Sequence, residues 1–366
     1  MPHEIFGTRI IAAPMAGGTS TPAFVTAVHD AGGLGFLAAG YKSVDTMQAE
    51  IRSARASGAR FGINVFVPDP AQLPPSAEVL ARLEDYRGRL QADARRYGVE
   101  VPPLRLDDDD HWQGKIDALL ADPVELVSFA FGLPGSDVVR ALQRSGSAVL
   151  ATVTSVAEAL EAAGQGVDAL VVQHESAGGH SAAFQARPAV HPEPRDGTGR
   201  RDGTGRQGHP ERKDEGQPGT TADLLAQVRS SVGLPLLAAG GVMDRAGLEE
   251  VLAAGAQAAQ LGTAFLRTPE SGARQLHKDA LASPHFTQTR LTRAFTGRPA
   301  RALVNEFVRD HPDAPEAYPA VHHLTAPLRA AAAAAGDAER LNLWAGTGWQ
   351  RARAGSVAEI MAGLLG

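Results

Sequence analysis

The stretch from Asp168 to His180 sets an apolar run, Ala169-Leu170-Val171-Val172, directly before Gln173, His174, Glu175 and a Gly178-Gly179 turn that ends on His180. A histidine titrates near neutrality, so at the rim of a fold His180 could serve as a general base or hold a substrate anion. The alternative is a surface histidine in a turn, a description that fits His174 better. Asn64 and Gln173 close two other apolar runs. Their amides can donate to and accept from a planar heterocycle or a polyol, or can be buried purely as structure. Two further runs end in Ala239-Gly240-Gly241 and Gln260-Leu261-Gly262-Thr263. Glycine lets backbone N–H groups approach an anion, and Thr263 adds a hydroxyl donor. Taken singly these are tight turns, but side by side on neighbouring strands they point to a phosphate.

What must position these groups is a repeated strand and helix. Short apolar runs over residues 10–15, 34–39, 61–66, 126–131, 148–153, 169–173, 236–239 and 258–261 read as strands. Helical patterns follow at 22–31, 44–57, 77–97, 112–120, 136–144, 156–165, 222–231 and from about 244. Thr21 before Pro22, Ser43 or Asp45, and Asp244 are the expected caps. Eight strands, each followed by helix-like sequence, predict an α/β fold, a closed (β/α)8 TIM barrel, whose C-terminal strand ends carry the site. The acidic run Asp107 to Asp110 reads as solvated charge before a helix, because no His or Glu spacing around it suggests a metal.

The whole chain, 1–366, reads as one domain. Residues 187–219, rich in Pro, Gly, Arg and Asp and carrying Arg-Asp-Gly-Thr-Gly-Arg twice in succession, read as a disordered insertion after the sixth strand. Residues 283–366 read as a rim extension with a helix over 330–335 and no strand alternation of its own.

A formal charge of −6 in 366 residues gives no electrostatic reason to expect nucleic acid or an anionic membrane. No apolar run reaches membrane-spanning length, and the first forty residues lack a signal-peptide pattern, so a cytoplasmic location is expected. With no cysteine there is no disulfide, thiolate nucleophile or Cys-ligated metal, and redox chemistry must come from a bound cofactor.

Ala13-Pro14-Met15-Ala16-Gly17-Gly18, Gly62-Ile63-Asn64, Gln173 with the motif from Glu175 to His180, Ala238-Ala239-Gly240-Gly241-Val242 and the run from Gln260 to Phe265 together resemble the nitronate monooxygenase family, formerly called 2-nitropropane dioxygenases. The resemblance implies an FMN-binding TIM barrel oxidising nitronates such as propionate 3-nitronate with O2 to a carbonyl compound and nitrite. It implies FMN contacts from Asn64, Gln173, Gly178, Gly179, Gly240, Gly241, Gln260, Leu261, Gly262 and Thr263, with Ala13, Pro14 and Met15 behind the ring system. His180 matches the family's catalytic histidine. No metal is expected, and a homodimer is the assembly to test. The chain departs from the family in its tail, where Tyr318, His322-His323 and Thr325 stand in place of a spaced tyrosine pattern. Two alternatives remain open on the residues: an FMN-dependent enoyl-thioester reductase using NAD(P)H, and a flavin binder without turnover.

Overall fold

In the computed structural model, residues 5–69, 75–185 and 219–366 are described. The insertion read at 187–219 lies outside them except for Gly219. Eight parallel strands close a barrel: β1 (Ile10–Ala12), β2 (Leu34–Ala38), β3 (Phe61–Phe66), β4 (Leu126–Ala130), β5 (Ala148–Val153), β6 (Ala169–Gln173), β8 (Leu236–Ala239) and β9 (Ala258–Leu261). All eight are the expected runs. They read as continuous apolar segments because a parallel strand in such a barrel is covered on both faces, by the packed interior and by the helix ring. Closure is direct, with Ile11 opposite Gln260 and Ala12 opposite Leu261.

The helices begin where the caps predict. Thr21 accepts from the Phe24 amide to start α1 (Pro22–Asp30), Ser43 rather than Asp45 caps α2 (Val44–Ala56), and Asp244 caps α8 (Arg245–Ala253). Between β3 and β4 run α3 (Ala77–Arg96) and α4 (Trp112–Ala121); α5 (Ser136–Arg144), α6 (Val156–Gly164) and α7 (Thr221–Ser231) follow β4, β5 and β6.

The tail differs from the sequence expectation in three ways. First, it holds strands. A two-residue strand β7 (Gly179–His180) pairs antiparallel with β11 (Ala300–Leu303), which pairs with β10 (Thr289–Thr292). Strands of two and four residues, the longer ones carrying Arg290 and Arg301, have too little alternation to be recognised, and β7 finds its partner more than a hundred residues away. Second, the last helix, α12 (Val357–Leu365), packs between α1 and α8 and completes the barrel's outer ring. The polypeptide therefore leaves the barrel after β9, builds α9 (Gln275–Ala282), the hairpin, α10 (Glu306–Asp310) and α11 (Ala320–Ala334) above it, and returns to close it. Third, α11 starts ten residues before the helix expected at 330–335 and carries Pro327 in its interior. Proline removes one helical hydrogen bond and usually ends a helix, but here Val321, Leu324 and Leu328 are buried against α3 and hold α11 together through it.

That contact is a second buried cluster beside the barrel core. Leu83, Tyr86 and Leu90 of α3 meet Phe295, Phe307 and Leu328 of the tail, and Tyr86 donates to the Ala294 carbonyl at 2.6 Å. Each such side chain contributes about 1.5–3 kcal/mol on burial, which is what keeps the tail fixed over the barrel mouth. No helix among the described residues is long and apolar enough to cross a membrane.

Candidate functional site

A cavity of about 400 Å³ opens at the C-terminal ends of the strands, within the usual range for a ligand site. Every residue given a catalytic or cofactor role in the sequence lines it: Ala13, Pro14 and Met15 after β1, Asn64 on β3, Gln173 on β6, Gly178, Gly179 and His180 beyond it, Gly240 and Gly241 after β8, and Gln260, Leu261, Gly262 and Thr263 on and after β9. Eight strand ends converge on one rim, so residues far apart in the chain share one wall.

His180 is held from three sides. Gln173 donates from Nε2 to the His180 carbonyl at 3.0 Å and accepts from the Ala182 amide at 2.8 Å, so its amide clamps the segment after β6 as well as facing the cavity. On the other flank His180 pairs with Ala300 of β11. The imidazole Nε2 lies 2.9 Å from Thr296 Oγ1. Phe131, Tyr318 and Trp344 surround the ring, with centroids 5.6, 6.1 and 5.2 Å away. Burial pushes its pKa down to about 3, and the cations Arg298 and Arg329 push the same way. His180 is therefore neutral across the physiological range.

Asn64 is buried and donates to the Ser128 hydroxyl and carbonyl at 3.0 and 3.2 Å, which fixes the orientation of the amide at the cavity wall. His174 is not the surface residue its sequence position suggested. It is 6% exposed, and its Nδ1 lies 2.9 Å from the Ser176 hydroxyl. The turn folds inward because the His174 amide extends the β6–β8 ladder onto the Ala239 carbonyl.

At the opposite end of the cavity the glycine turns meet a segment that the sequence reading missed. Gly240 and Gly241 have φ of +122° and +71°, a region open mainly to glycine. The Gly346-Thr347-Gly348 loop of the tail lies against them. Gly346 donates to Thr263 Oγ1 at 3.0 Å, Thr347 donates to the Ser176 carbonyl at 3.0 Å, and Gly346 and Gly348 line the cavity. Its signal was present in the Gly-x-Gly spacing, but nothing local placed it beside residues 240–263.

Tyr41, Trp344, His277, His322 and Arg329 are further wall residues that strand-end reasoning could not reach. They come from the β2–α2 loop and the tail. The acidic run also proves to have work here. Asp108 pairs with His323 at 2.7 Å, and Asp110 accepts from the Tyr41 amide at 2.9 Å and from the fully buried Lys115 at 2.7 Å. The His323 hydrogen bond is the main reason the Asp108 carboxyl sits well below its usual range. The run braces the cavity wall where solvated helix charge was expected, and the helix after it, α4, has no side-chain cap. Among the described residues no cluster of His, Asp and Glu suited to a metal exists.

Three half-buried imidazoles of the cavity wall give the molecule a predictable response to acid. Burial lowers His180 to about 3, His322 to about 2 and His277 to about 4. A histidine depressed in the folded state gives stability that is fully present above its unfolded pKa, near 6.5, and is lost as pH falls toward the folded value. Denaturant midpoints should be flat above about pH 7 and fall progressively below about pH 6. Midpoints unchanged down to pH 4.5 would contradict the shielding of these rings from water.

The glycine-lined end and the amides fit a phosphate-bearing, planar cofactor, and among the described residues the wall carries Arg274 and Arg329 but no aspartate or glutamate. The family model for nitronate monooxygenase matches residues 3–194 and 197–366. A probable nitronate monooxygenase of Staphylococcus saprophyticus is 35% identical over 92% of this chain and 88% of its own, and one of Staphylococcus aureus is 32% identical over 92% and 87%. Among solved structures, nitroalkane oxidase from Streptomyces ansochromogenes is 45% identical, covers 99% of this chain and 96% of its own, and superposes with a TM-score of 0.86. FabK from Thermotoga maritima, 22% identical over 98% of this chain and 92% of its own with a TM-score of 0.68, shares the fold. With the matched model spanning nearly all of the sequence and the same barrel in its relatives, the chain belongs to the nitronate monooxygenase family.

Proposed function

We propose that the chain is an FMN-dependent nitronate monooxygenase that converts a nitronate and O2 to a carbonyl compound and nitrite. The observation that carries this reading is the electrostatics of the cavity: its wall holds two arginines and no carboxylate among the described residues, around a neutral histidine. In a protein of net charge −6 such a wall selects an anion. A nitronate is an anion, and so is the phosphate of a mononucleotide.

The residues divide into three tasks. Gly240, Gly241, Gly262 and Thr263, joined by the Gly346 to Gly348 loop, would take the cofactor phosphate. Asn64 and Gln173 would meet the heterocycle, and Ala13, Pro14 and Met15 would back it. Bound FMN supplies the electron-accepting and oxygen-reacting chemistry that this cysteine-free chain lacks.

His180 then faces the substrate. An effective general base has a pKa near the operating pH, and this imidazole is held far below it. That favours a hydrogen-bonding role toward a preformed nitronate over proton removal from a neutral nitroalkane. With Thr296 fixing Nε2, the ring is oriented before substrate arrives, and an incoming anion stabilises any positive charge on it. Phe131, Tyr318 and Trp344 keep water from the ring.

The test is nitrite release with coupled oxygen uptake by the FMN-loaded protein. It should be much faster from propionate 3-nitronate than from the neutral nitro acid at a pH where the latter ionises slowly. Oxidation of NADH dependent on an enoyl-thioester, without nitrite from any nitronate, would replace this reading with the reductase one.

A further inference from the structure

α11 crosses the cavity mouth with His322, Ala326, Arg329 and Ala330 on one helical face. Arg329 is the unusual member. Its Nε donates to the Thr325 hydroxyl at 3.2 Å, Nη1 to the Asn342 side-chain oxygen at 3.2 Å, and Nη2 to the His322 carbonyl at 3.3 Å and to His322 Nδ1 at 3.2 Å. All four acceptors are neutral, and no carboxylate among the described residues pairs with it. A guanidinium only donates. His322 Nδ1 must therefore be the lone-pair nitrogen, and the neutral ring carries its hydrogen on Nε2.

The ring plane is fixed as well as the tautomer. His322 stacks on Tyr41 with centroids 4.1 Å apart and planes 2° from parallel. Both stacking partners are braced by the acidic run, since Asp110 holds the Tyr41 amide and Asp108 holds His323 next in the helix. Burial and the neighbouring Arg329 push His322 down to about 2, so it stays neutral. Its Nε2 finds no acceptor among the described residues. Tyr318 packs against both groups, its ring centroid 6.1 Å from that of His180 and 6.4 Å from that of Tyr41.

We propose that His322, locked as its Nε2–H tautomer by Arg329, is a second hydrogen-bond donor to the substrate's O–N–O group and sets the preference for anionic nitronates over neutral nitro compounds. Arg329 is a positioning residue that also adds an uncompensated positive charge beside that donor. This deepens, and rests on, the nitronate reading of the same cavity. The chemistry recognised is a planar anion with charge spread over two oxygens, one taken near His180 and one near His322.

The experiment uses the FMN-loaded protein and inorganic nitrate, a planar O–N–O anion that the site cannot oxidise, titrated by calorimetry. His322→Phe keeps the stack on Tyr41 and removes the donor, whereas His322→Gln supplies an amide N–H. Nitrate should bind about 10-fold or more weakly to His322→Phe, the size expected for losing a hydrogen bond to a charged group. His322→Gln should recover much of that loss. KM for the nitronate should rise in parallel with the nitrate Kd. Nitrate Kd and nitronate KM unchanged in His322→Phe would overturn the proposal. Loss of nitrate binding in His322→Phe, with no nitrite from nitronate in the unaltered protein, would uphold the anion site and overturn the reaction assigned to it. Should His322→Phe fail to fold, the ring 15N spectrum of the unaltered protein decides. A protonated Nε2 and bare Nδ1, passing to a tautomer mixture in Arg329→Met, supports the proposal; a protonated Nδ1 in the unaltered protein overturns it.

Discussion

The His180→Asn variant is expected to oxidise a nitronate about 10²- to 10³-fold more slowly than the unaltered enzyme, the loss typical of removing one preorganised donor from a reacting centre, while keeping its FMN. The two halves of this expectation come from different atoms. The imidazole reaches Thr296 and the cavity, so asparagine loses the oriented donor. The clamps on the segment use backbone atoms instead: Gln173 holds the carbonyl of residue 180, and β11 pairs with its backbone. Those contacts survive the substitution, so the cavity wall should keep its shape and the phosphate end, at Gly240 to Thr263, should be untouched. The measurement is kcat/KM beside flavin absorbance per protein. Full activity in His180→Asn would remove His180 from the reaction. Loss of flavin would mean that its role is architectural.

Gly178→Ala should be as damaging through a different route. A Cβ at residue 178 would lie 2.6 Å from the Gly346 nitrogen and 2.7 Å from the Ala345 carbonyl carbon, both backbone atoms of the tail loop. Backbone cannot swing aside as a flexible side chain can, so the loop must retreat. Retreat strains or breaks the Gly346 bond to Thr263 and the Thr347 bond to Ser176, and with them the phosphate end of the cavity. The cost in stability should be about 1–3 kcal/mol, as for other overpacked sites, and FMN should be lost on gel filtration. Gly88→Ala makes the control. That glycine is exposed inside α3 with nothing within 4 Å of the added carbon, so alanine should stabilise by about 0.5–1 kcal/mol. A Gly178→Ala protein that melts normally and retains flavin would show that the tail loop does not close the cofactor end.

These two sites also mark what could be read from the sequence and what could not. The strand Ala169–Gln173 was legible because a strand buried on both faces must be continuously apolar, and the rim turn was legible because glycines and polar groups follow it directly. The same local logic located Asn64, Gly240, Gly241 and the Gln260 to Thr263 run, and a resemblance to known sequences supplied the roles proposed for them. What stayed hidden depends on contacts between distant segments. The two-residue strand holding His180 exists only because β11, 120 positions away, pairs with it. Asp108 and Asp110 looked solvated because their partners, His323 and Lys115, are not implied by an acidic run. His174 looked like a surface residue until its amide was seen to extend the β6–β8 ladder. The tail as a whole was underestimated because its apolar residues are spaced to meet α3 and the barrel mouth, and only its final helix belongs to the ring.

The central claim is that the cavity holds FMN beside His180 and brings a nitronate to it. It is tested most directly by mixing the FMN-loaded protein anaerobically with propionate 3-nitronate, following the visible flavin absorbance, and then admitting oxygen. Bleaching in the absence of oxygen, recovery of the absorbance when oxygen is admitted, and nitrite in the recovered solution are expected. A flavin spectrum that nitronate leaves unchanged, and that NADH bleaches, would contradict it.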